Sequence, residues 1–249
     1  MSGHSKWSSI KRQKGINDVK RGASFTKVAR EIGMAARAGG GDPDGNFRLR
    51  LAIEKARGVN MPADNIKRAI ERATGAGESE QFEEIVYEGY GPGGVAILVE
   101  AATDNRNRTA AEVRSRFAKS GGSLAASGAV AWQFEARGLI TVQRNGVDPD
   151  DVALAAIDAG ADDVDAEADP IEIFTAPAEL EHVRRRLEEA GIPVDEAESA
   201  MIAKQTVELE AGRARQALRL VEELEELDDV QRVTANFDIP EEIFAEVAG

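Results

Sequence analysis

Few residues in this sequence have the types and spacing that catalysis requires. The two histidines are His4, in a basic N-terminal segment, and His182, which precedes three arginines in a predicted helix. Neither has neighbours that would complete a catalytic triad or a zinc site, so we expect a tail residue and a helix-surface residue. The chain has no cysteine, which excludes thiolate nucleophiles, disulfides and sulfur-ligated metals. We therefore predict that the protein is not an enzyme and uses no cofactor or metal.

Two further segments imitate ligand-binding motifs. Residues 89–94 match the G-x-G-x-x-G pattern of dinucleotide-binding loops, but a strand-like apolar run follows where that fold places a helix. We predict a hairpin loop there. The acidic run at 163–169 resembles the start of a calcium loop, yet alanine stands at its sixth position and phenylalanine at its twelfth. We expect this run to be a solvated acidic edge.

The segment 103–109, with the sequence TDNRNRT, is more suggestive. It places Arg106 and Arg108 just before a predicted helix N-terminus. Backbone amides and guanidinium groups at such a position are able to hold a phosphate. The alternative is that both arginines pair with local carboxylates such as Asp104. The sequence leaves both interpretations open.

The net charge of −14 is unevenly distributed along the chain. Residues 1–72 carry 16 Lys/Arg and 7 Asp/Glu, a net charge of +9, whereas the remainder carries 15 and 38, a net charge of −23. A basic arm on an acidic body is typical of nucleic-acid-binding proteins. The alternative is a basic domain that docks on the acidic one. Docking would not require a basic tail as well, so we expect nucleic acid, either DNA or ribosomal RNA, as the partner.

The candidate contacts with nucleic acid are cations of the arm, of the first helix and of segment 103–109. Residues 1–19 have no helical apolar stripe, and their one aromatic residue, Trp7, is expected either to stack on an unpaired base or to pack near Phe25. An apolar stripe over 25–36 predicts a helix whose cations fall roughly opposite it. The predicted nucleic-acid-binding residues are Lys6, Trp7, Lys11, Arg12, Lys14, Lys20, Arg21, Lys27, Arg30, Arg37, Arg106 and Arg108.

Helical periodicity predicts three short helices in the basic part of the chain. The first ends at the glycines of 39–41, and Asp42 with Pro43 is expected to cap and open the second. Gly58 is the expected left-handed residue after that helix, and Pro62 is expected to open the third. Short amphipathic helices joined by tight breaks predict a small antiparallel bundle.

Beyond residue 77 the periodicity becomes that of strands. A hairpin is predicted over 85–101, followed by a helix opened by a capping box of Thr109 and Glu112. Separate strands are predicted at 130–134 and 139–142, and helices and strands then alternate up to residue 237. A ββα unit thus occurs twice, and each needs a later β-α-β segment to complete its sheet.

These elements predict an α+β multidomain protein. An N-terminal three-helix domain precedes two α+β domains, the third inserted into the second. The predicted boundaries are 1–76 for the basic arm and helical bundle, 80–128 plus 203–240 for the second domain, and 130–202 for the inserted domain. No apolar run approaches the roughly 18 residues that span a membrane, and the N-terminus lacks the apolar stretch of a signal peptide. We expect a cytoplasmic protein with no membrane partner and no small-molecule substrate.

Several of these motifs together resemble the YebC family. They are the opening GHSKW at 3–7, the GGDP break at 40–43, NMP at 60–62, YEGYGPGG at 87–94 and TDNRNRT at 103–109. The resemblance is dense in the first half of the chain and looser in the second. It implies a helical domain followed by two α+β domains with the third inserted into the second, no cofactor and no catalysis.

The resemblance also implies a role in gene expression. Bacterial members of the YebC family are described as probable transcriptional regulators that bind DNA. A mitochondrial relative activates translation, and bacterial members are also linked to relief of ribosomes stalled at proline runs. We therefore expect a DNA-binding transcriptional regulator, with a ribosome-associated or RNA-associated translation factor as the alternative.

Overall fold

The computed structural model describes residues 21–75 and 82–239 of the 249-residue chain. The predicted arm at 1–19 lies outside the described residues. Contacts divide the described residues into two compact units. One unit holds those within Asp18–Val130 and Gln216–Val233, and the other those within Ala131–Arg215 and Thr234–Gly249. The boundaries 1–76, 80–128 plus 203–240, and 130–202 stay predictions.

Three helices form the first part of the fold, as the apolar stripes predict. They are α1 (Arg21–Gly39), α2 (Phe47–Gly58) and α3 (Ala63–Thr74), and α1 packs against both of the others. All three contribute to one apolar core, so each helix turns one face inward. The buried members of this core are Val28, Ile32, Ala35, Ala36, Leu49, Ala52, Ile53, Ala56, Met61 and Ile66.

The second helix begins later than predicted. Residues 43–45 form a turn in which the Asp42 carboxylate accepts a hydrogen bond from the Asp44 amide, so Asp42 and Pro43 do not open α2. The N-cap is Asn46, whose side-chain oxygen accepts from the Leu49 amide at 3.1 Å. The buried Asn46 amide also donates to the Ala35 and Gly40 carbonyls, both at 2.8 Å. These additional bonds explain why Asn46 is the cap.

The end of α2 also differs from the prediction. The left-handed residue is Asn60, with φ of 60°, and Gly58 is the last helical residue. The amide of Met61 donates to the Ala56 carbonyl at 2.9 Å, the bond that closes a Schellman motif. Asparagine is the residue after glycine that best tolerates this conformation, so it replaces the glycine that we expected.

The first sheet begins with β1 (Glu83–Tyr90) and β2 (Ala96–Thr103), an antiparallel pair in which Glu83 lies opposite Thr103. In the connecting loop the Gly91 amide donates to the Val95 carbonyl at 2.8 Å. This confirms that the glycine-rich motif at 89–94 is a hairpin loop. Helix α4 (Arg106–Lys119) and the short β3 (Ser123–Leu124) follow.

The predicted capping box at Thr109 and Glu112 is wrong. Asn105 is the N-cap of α4, four residues before the expected cap, and its side chain accepts a hydrogen bond from the Arg108 amide at 3.1 Å. Thr109 is buried inside the helix, where its hydroxyl donates to other partners instead of capping. An asparagine in the loop after a strand therefore takes the cap from a threonine further along.

A second sheet lies within the inserted segment. Its elements are β4 (Phe134–Val142), α5 (Pro149–Ala159), β5 (Asp163–Asp165), β6 (Ile171–Thr175), α6 (Leu180–Glu189) and β7 (Glu196–Ala203). The strand order is β5-β6-β4-β7, and each neighbouring pair is antiparallel. The strand predicted at 139–142 lies within β4, but the strand predicted at 130–134 is wrong, because Ala131–Gln133 form a short 3-10 helix and β4 begins only at Phe134. Gly138 lies inside that strand. A Cβ there would meet Leu180 Cβ at 3.0 Å, so the glycine allows close packing and does not form a turn.

The chain then returns to complete the first sheet. After β8 (Val207–Glu208) and α7 (Ala211–Glu225), β9 (Val230–Ala235) lies next to β2 in the order β3-β1-β2-β9. The last strand, β10 (Phe237–Asp238), pairs in parallel with β8. The third domain is therefore inserted into the second, as predicted. In the part of the chain that the structure describes, no helix is long and apolar enough to cross a membrane.

Candidate nucleic-acid interface

Two predicted contact residues on α1 point toward the end of α7. The Lys27 ammonium donates to the carbonyl oxygen of Glu225, the last residue of α7. The Arg30 guanidinium donates to the Asp228 carbonyl and lies 5.0 Å from the centre of the Phe82 ring. Cations at the carbonyl end of a helix are favoured by its dipole. These two residues therefore hold the first helix against the α+β part of the same compact unit.

A buried carboxylate joins this contact to segment 103–109. Asp229 is 2% exposed, and one of its oxygens accepts from the hydroxyls of Thr103 at 3.0 Å and Thr109 at 2.7 Å. The same oxygen accepts from Arg108 at 2.6 Å, and the other lies 3.0 Å from Arg30. We call these five residues the Asp229 cluster. Through the Asp229 carboxylate, the cluster connects α1, the end of β2, the start of α4 and the start of β9.

The protonation of the Asp229 cluster follows from these contacts. Burial opposes ionisation of the carboxyl, but hydrogen bonds from Thr109, Arg108 and Thr103, together with the charge of Arg30, lower the pKa of Asp229 below its usual value. Hydrogen bonds to Asp229 and Asp104 raise the pKa of Arg108. The cluster is therefore ionised at neutral pH.

Both arginines of segment 103–109 lie beside carboxylates. Arg108 contacts Asp104 at 2.8 Å as well as Asp229, and the Arg106 guanidinium lies 3.6 Å from Glu83. Arg106 is 69% exposed at its side chain, so this pair is weakly held at the surface. Arg108 serves the Asp229 cluster, while Arg106 projects from the first turn of α4 toward solvent.

The remaining predicted contacts are distributed between α1 and the residues that the structure does not describe. Arg37 is exposed near the end of α1. Six of the other predicted residues lie outside the described residues: Lys6, Trp7, Lys11, Arg12, Lys14 and Lys20. Arg21 begins α1, but its side chain is not among those that the structure describes. Their role stays a prediction.

Sequence reasoning missed a group of exposed cations on α2 and α3. Arg57, Arg68 and Arg72 are exposed, and no carboxylate among the described residues pairs with them. Lys67 is also exposed and lies 3.7 Å from Glu71. For Lys67, Arg68 and Arg72 the signal was available, because the apolar stripe of α3 leaves these positions on its outer face. We call Arg57, Lys67, Arg68 and Arg72 the outer cations.

The residues considered for catalysis or metal binding are the two histidines and the acidic run at 163–169. His182 is exposed on α6, as expected for a helix-surface residue, and His4 lies outside the described residues. Within 21–75 and 82–239, no group of three or more histidine or carboxylate side chains is placed to hold a metal ion. In the acidic run at 163–169, the Asp165 carboxylate accepts the amides of Glu167 and Ala168, which forms a local turn.

Family models match both parts of the chain. The model described as "TACO1/YebC protein N-terminal domain" matches residues 5–76, and the model described as "TACO1/YebC second and third domain" matches residues 82–237. A protein of Roseiflexus castenholzii is 56% identical over 248 residues, which cover 98% of this chain and 97% of that protein. A protein of Rubrobacter xylanophilus is 55% identical over the whole of both chains. Both relatives are named "Probable transcriptional regulatory protein".

A solved structure has the same fold. The crystal structure of a conserved hypothetical protein from Aquifex aeolicus is 48% identical to this chain, with a TM-score of 0.85. The match covers 91% of this chain and 93% of that one. The helical domain, the two α+β domains and the family matches agree along the sequence. The chain therefore belongs to the TACO1/YebC family.

Proposed function

We propose that this chain is a non-enzymatic regulator of gene expression that binds nucleic acid through its basic N-terminal region. The observation that supports this proposal most strongly is the exposed cationic surface of α2 and α3. It lies within the segment 1–72, whose net charge is +9. Exposed guanidinium groups that pair with no carboxylate among the described residues are able to neutralise phosphates. The net charge of −23 on the remainder limits contact with a polyanion to the basic region.

DNA is the first candidate partner, since the relatives from Roseiflexus and Rubrobacter are named probable transcriptional regulatory proteins. Lys27 and Arg30 are engaged with α7, so α1 has fewer cations for a groove than its sequence indicates. The outer cations of α3 are better exposed. They are residues of the phosphate-contacting type, which favours backbone binding over reading of base edges.

RNA is the second candidate partner, in a ribosome-associated translation factor. Trp7 lies among the basic residues of 1–19, and an aromatic ring among cations is the composition that binds single-stranded RNA. The arm, with Lys6, Lys11, Arg12 and Lys14, would follow the phosphate backbone, and Trp7 would stack on an unpaired base. The net charge of −23 on the remainder of the chain would then keep the protein from binding RNA indiscriminately.

The first experiment locates binding on the chain. Fluorescence anisotropy of labelled duplex DNA and single-stranded RNA is measured with the full chain and with Arg68→Gln/Arg72→Gln. We expect both ligands to bind the variant about tenfold more weakly. The matched control, Arg185→Gln/Arg186→Gln, removes two exposed arginines from α6 and should bind like the wild type. Equal binding by all three proteins would exclude α3 from the interface.

The second experiment separates the two partners. Trp7→Ala is measured with single-stranded RNA and duplex DNA at one salt concentration. Stacking predicts a loss of roughly 5- to 150-fold on RNA and little change on duplex DNA, whose bases present no free face. A loss confined to duplex DNA would favour groove insertion and the transcriptional role. An equal loss on both ligands would exclude base stacking by Trp7.

A further inference from the structure

A groove lies between α2 and α3 on the surface of the helical domain. It encloses about 390 Å³, within the usual size range of small-ligand sites. Its floor is formed by the side chains of Ile53, Met61, Ile66 and Ile70. Three of these belong to the buried core of the helical domain and Ile70 packs against it, so the floor is firmly held. An apolar surface of this kind suits a flat, weakly polar ring.

Charged groups surround this apolar floor. Arg57 at the end of α2 and Lys67 on α3 both line the groove, together with Glu71 one turn beyond Lys67. The Glu71 carboxylate lies 3.7 Å from Lys67, and both side chains are mostly exposed. Among the described residues, no carboxylate pairs with Arg57. The groove therefore combines two cations, one hydrogen-bond acceptor and an apolar floor.

We propose that this groove binds one unpaired nucleobase of a single-stranded nucleic acid, a step that rests on the nucleic-acid binding proposed above. The base lies on the isoleucine and methionine floor, and Arg57 and Lys67 hold its flanking phosphates. The Glu71 carboxylate accepts a hydrogen bond from an N–H group on the Watson–Crick edge of the base. Every base presents such an N–H, which is free only when the base is unpaired.

The proposal selects against duplex nucleic acid for a physical reason. In a duplex the Watson–Crick edge is paired and both faces of the ring are stacked, so entry would require the base to be flipped out. Loops and single strands already present their bases in this way. The groove thus gives the helical domain a preference that charge alone cannot supply, since charge attracts both forms.

The probe is a single-stranded adenine-rich oligonucleotide that contains one 2-aminopurine. Stacking between adenines quenches its fluorescence, and none of the residues lining the groove is aromatic, so entry of the probe base should raise its fluorescence. Anisotropy of a second label on the same strand measures binding separately. The full chain is compared with two groove variants, Ala63→Phe and Arg57→Gln, and with the control Arg185→Gln, which removes an exposed arginine of α6 outside the proposed interface. Ala63 lines the groove but is exposed, so phenylalanine there fills the groove without entering the core.

We expect the wild type and Arg185→Gln to raise the 2-aminopurine fluorescence on binding. Both groove variants should lose that rise and bind the single strand about tenfold more weakly. Ala63→Phe should bind duplex DNA as the wild type does. If the wild type binds the strand and the fluorescence does not rise, or rises equally with Ala63→Phe, the groove holds no base and another occupant, such as a protein segment, takes its place. If the wild type binds no nucleic acid, the proposed function itself fails.

Discussion

The Asp229 cluster predicts a large and specific loss of stability for Asp229→Asn. Asparagine keeps the shape and leaves one oxygen for Thr103, Thr109 and Arg108, but it places an NH2 group against the Arg30 guanidinium, where the carboxylate oxygen now lies at 3.0 Å. Breaking a buried ion pair by removing one partner costs about 3–5 kcal/mol. Arg108 is 43% exposed and is able to turn to solvent, whereas Arg30 is 15% exposed. We therefore expect a loss of about 2–4 kcal/mol.

This loss of stability is measured by urea denaturation of the full chain. Unfolding is monitored by a signal that comes from the compact unit containing the cluster. The matched control is Asp228→Asn, which removes a neighbouring carboxylate that is exposed and should change the free energy of unfolding by less than about 0.5 kcal/mol. If Asp229→Asn is as stable as Asp228→Asn, the cluster does not hold the helical domain to the first sheet.

Three further predictions concern the same unit. Because the folded pKa of Asp229 is lowered, its stabilisation is complete above its unfolded pKa of about 3.9 and is lost as the pH falls through the folded value; the unfolding free energies of wild type and Asp229→Asn should therefore converge in acid. Gly89→Ala should lower the unfolding free energy by about 1–3 kcal/mol, because a Cβ there would meet the Phe117 ring at 2.6 Å; an unchanged urea midpoint would contradict this packing. Asn105→Ala should cost about 0.5–2 kcal/mol through loss of the α4 cap; a urea midpoint equal to that of the wild type would show that Asn105 does not cap the helix.

Patterns that depend on near neighbours predicted much of this fold. The apolar stripes located α1, α2 and α3, and the strand that follows the glycines of 89–94 identified a hairpin instead of a dinucleotide site. The prediction that the third domain is inserted into the second followed from two incomplete ββα units. It was possible because strands need partners and the only later β-α-β segments lie in the order that nesting requires.

Helix caps and long-range polar contacts were not predictable in this way. Several residues near each helix start are able to cap the helix. Asn46 caps α2 in place of Asp42 because its side-chain amide also donates to the Ala35 and Gly40 carbonyls. Asp229 lies 126 positions after Thr103 and has no motif around it. For Arg108, the sequence left a phosphate and a carboxylate equally open, and only folding brings Asp229 within 2.6 Å of it.

The outer cations show a different reason for a missed residue. The positions of Lys67, Arg68 and Arg72 follow from the period of α3, but the sequence does not tell which charges find partners inside the chain. Lys27 and Arg30 on α1 are engaged with the α7 end and the Asp229 cluster, while Arg68 and Arg72 on α3 have no carboxylate partner among the described residues. Charge counting treats these two pairs alike, and only the packing of the helices distinguishes them.

The salt dependence of nucleic-acid binding tests the central claim most directly. The affinity of the full chain and of a Lys6→Ala/Lys11→Ala/Arg12→Ala/Lys14→Ala variant for duplex DNA is measured from about 50 to about 200 mM salt. We predict that log K falls steeply with log salt for the wild type, and that the slope of the variant is shallower by up to about 0.9 for each phosphate that it no longer neutralises. An absence of binding at low salt, or identical slopes for the two proteins, would contradict nucleic-acid binding through the basic N-terminal region.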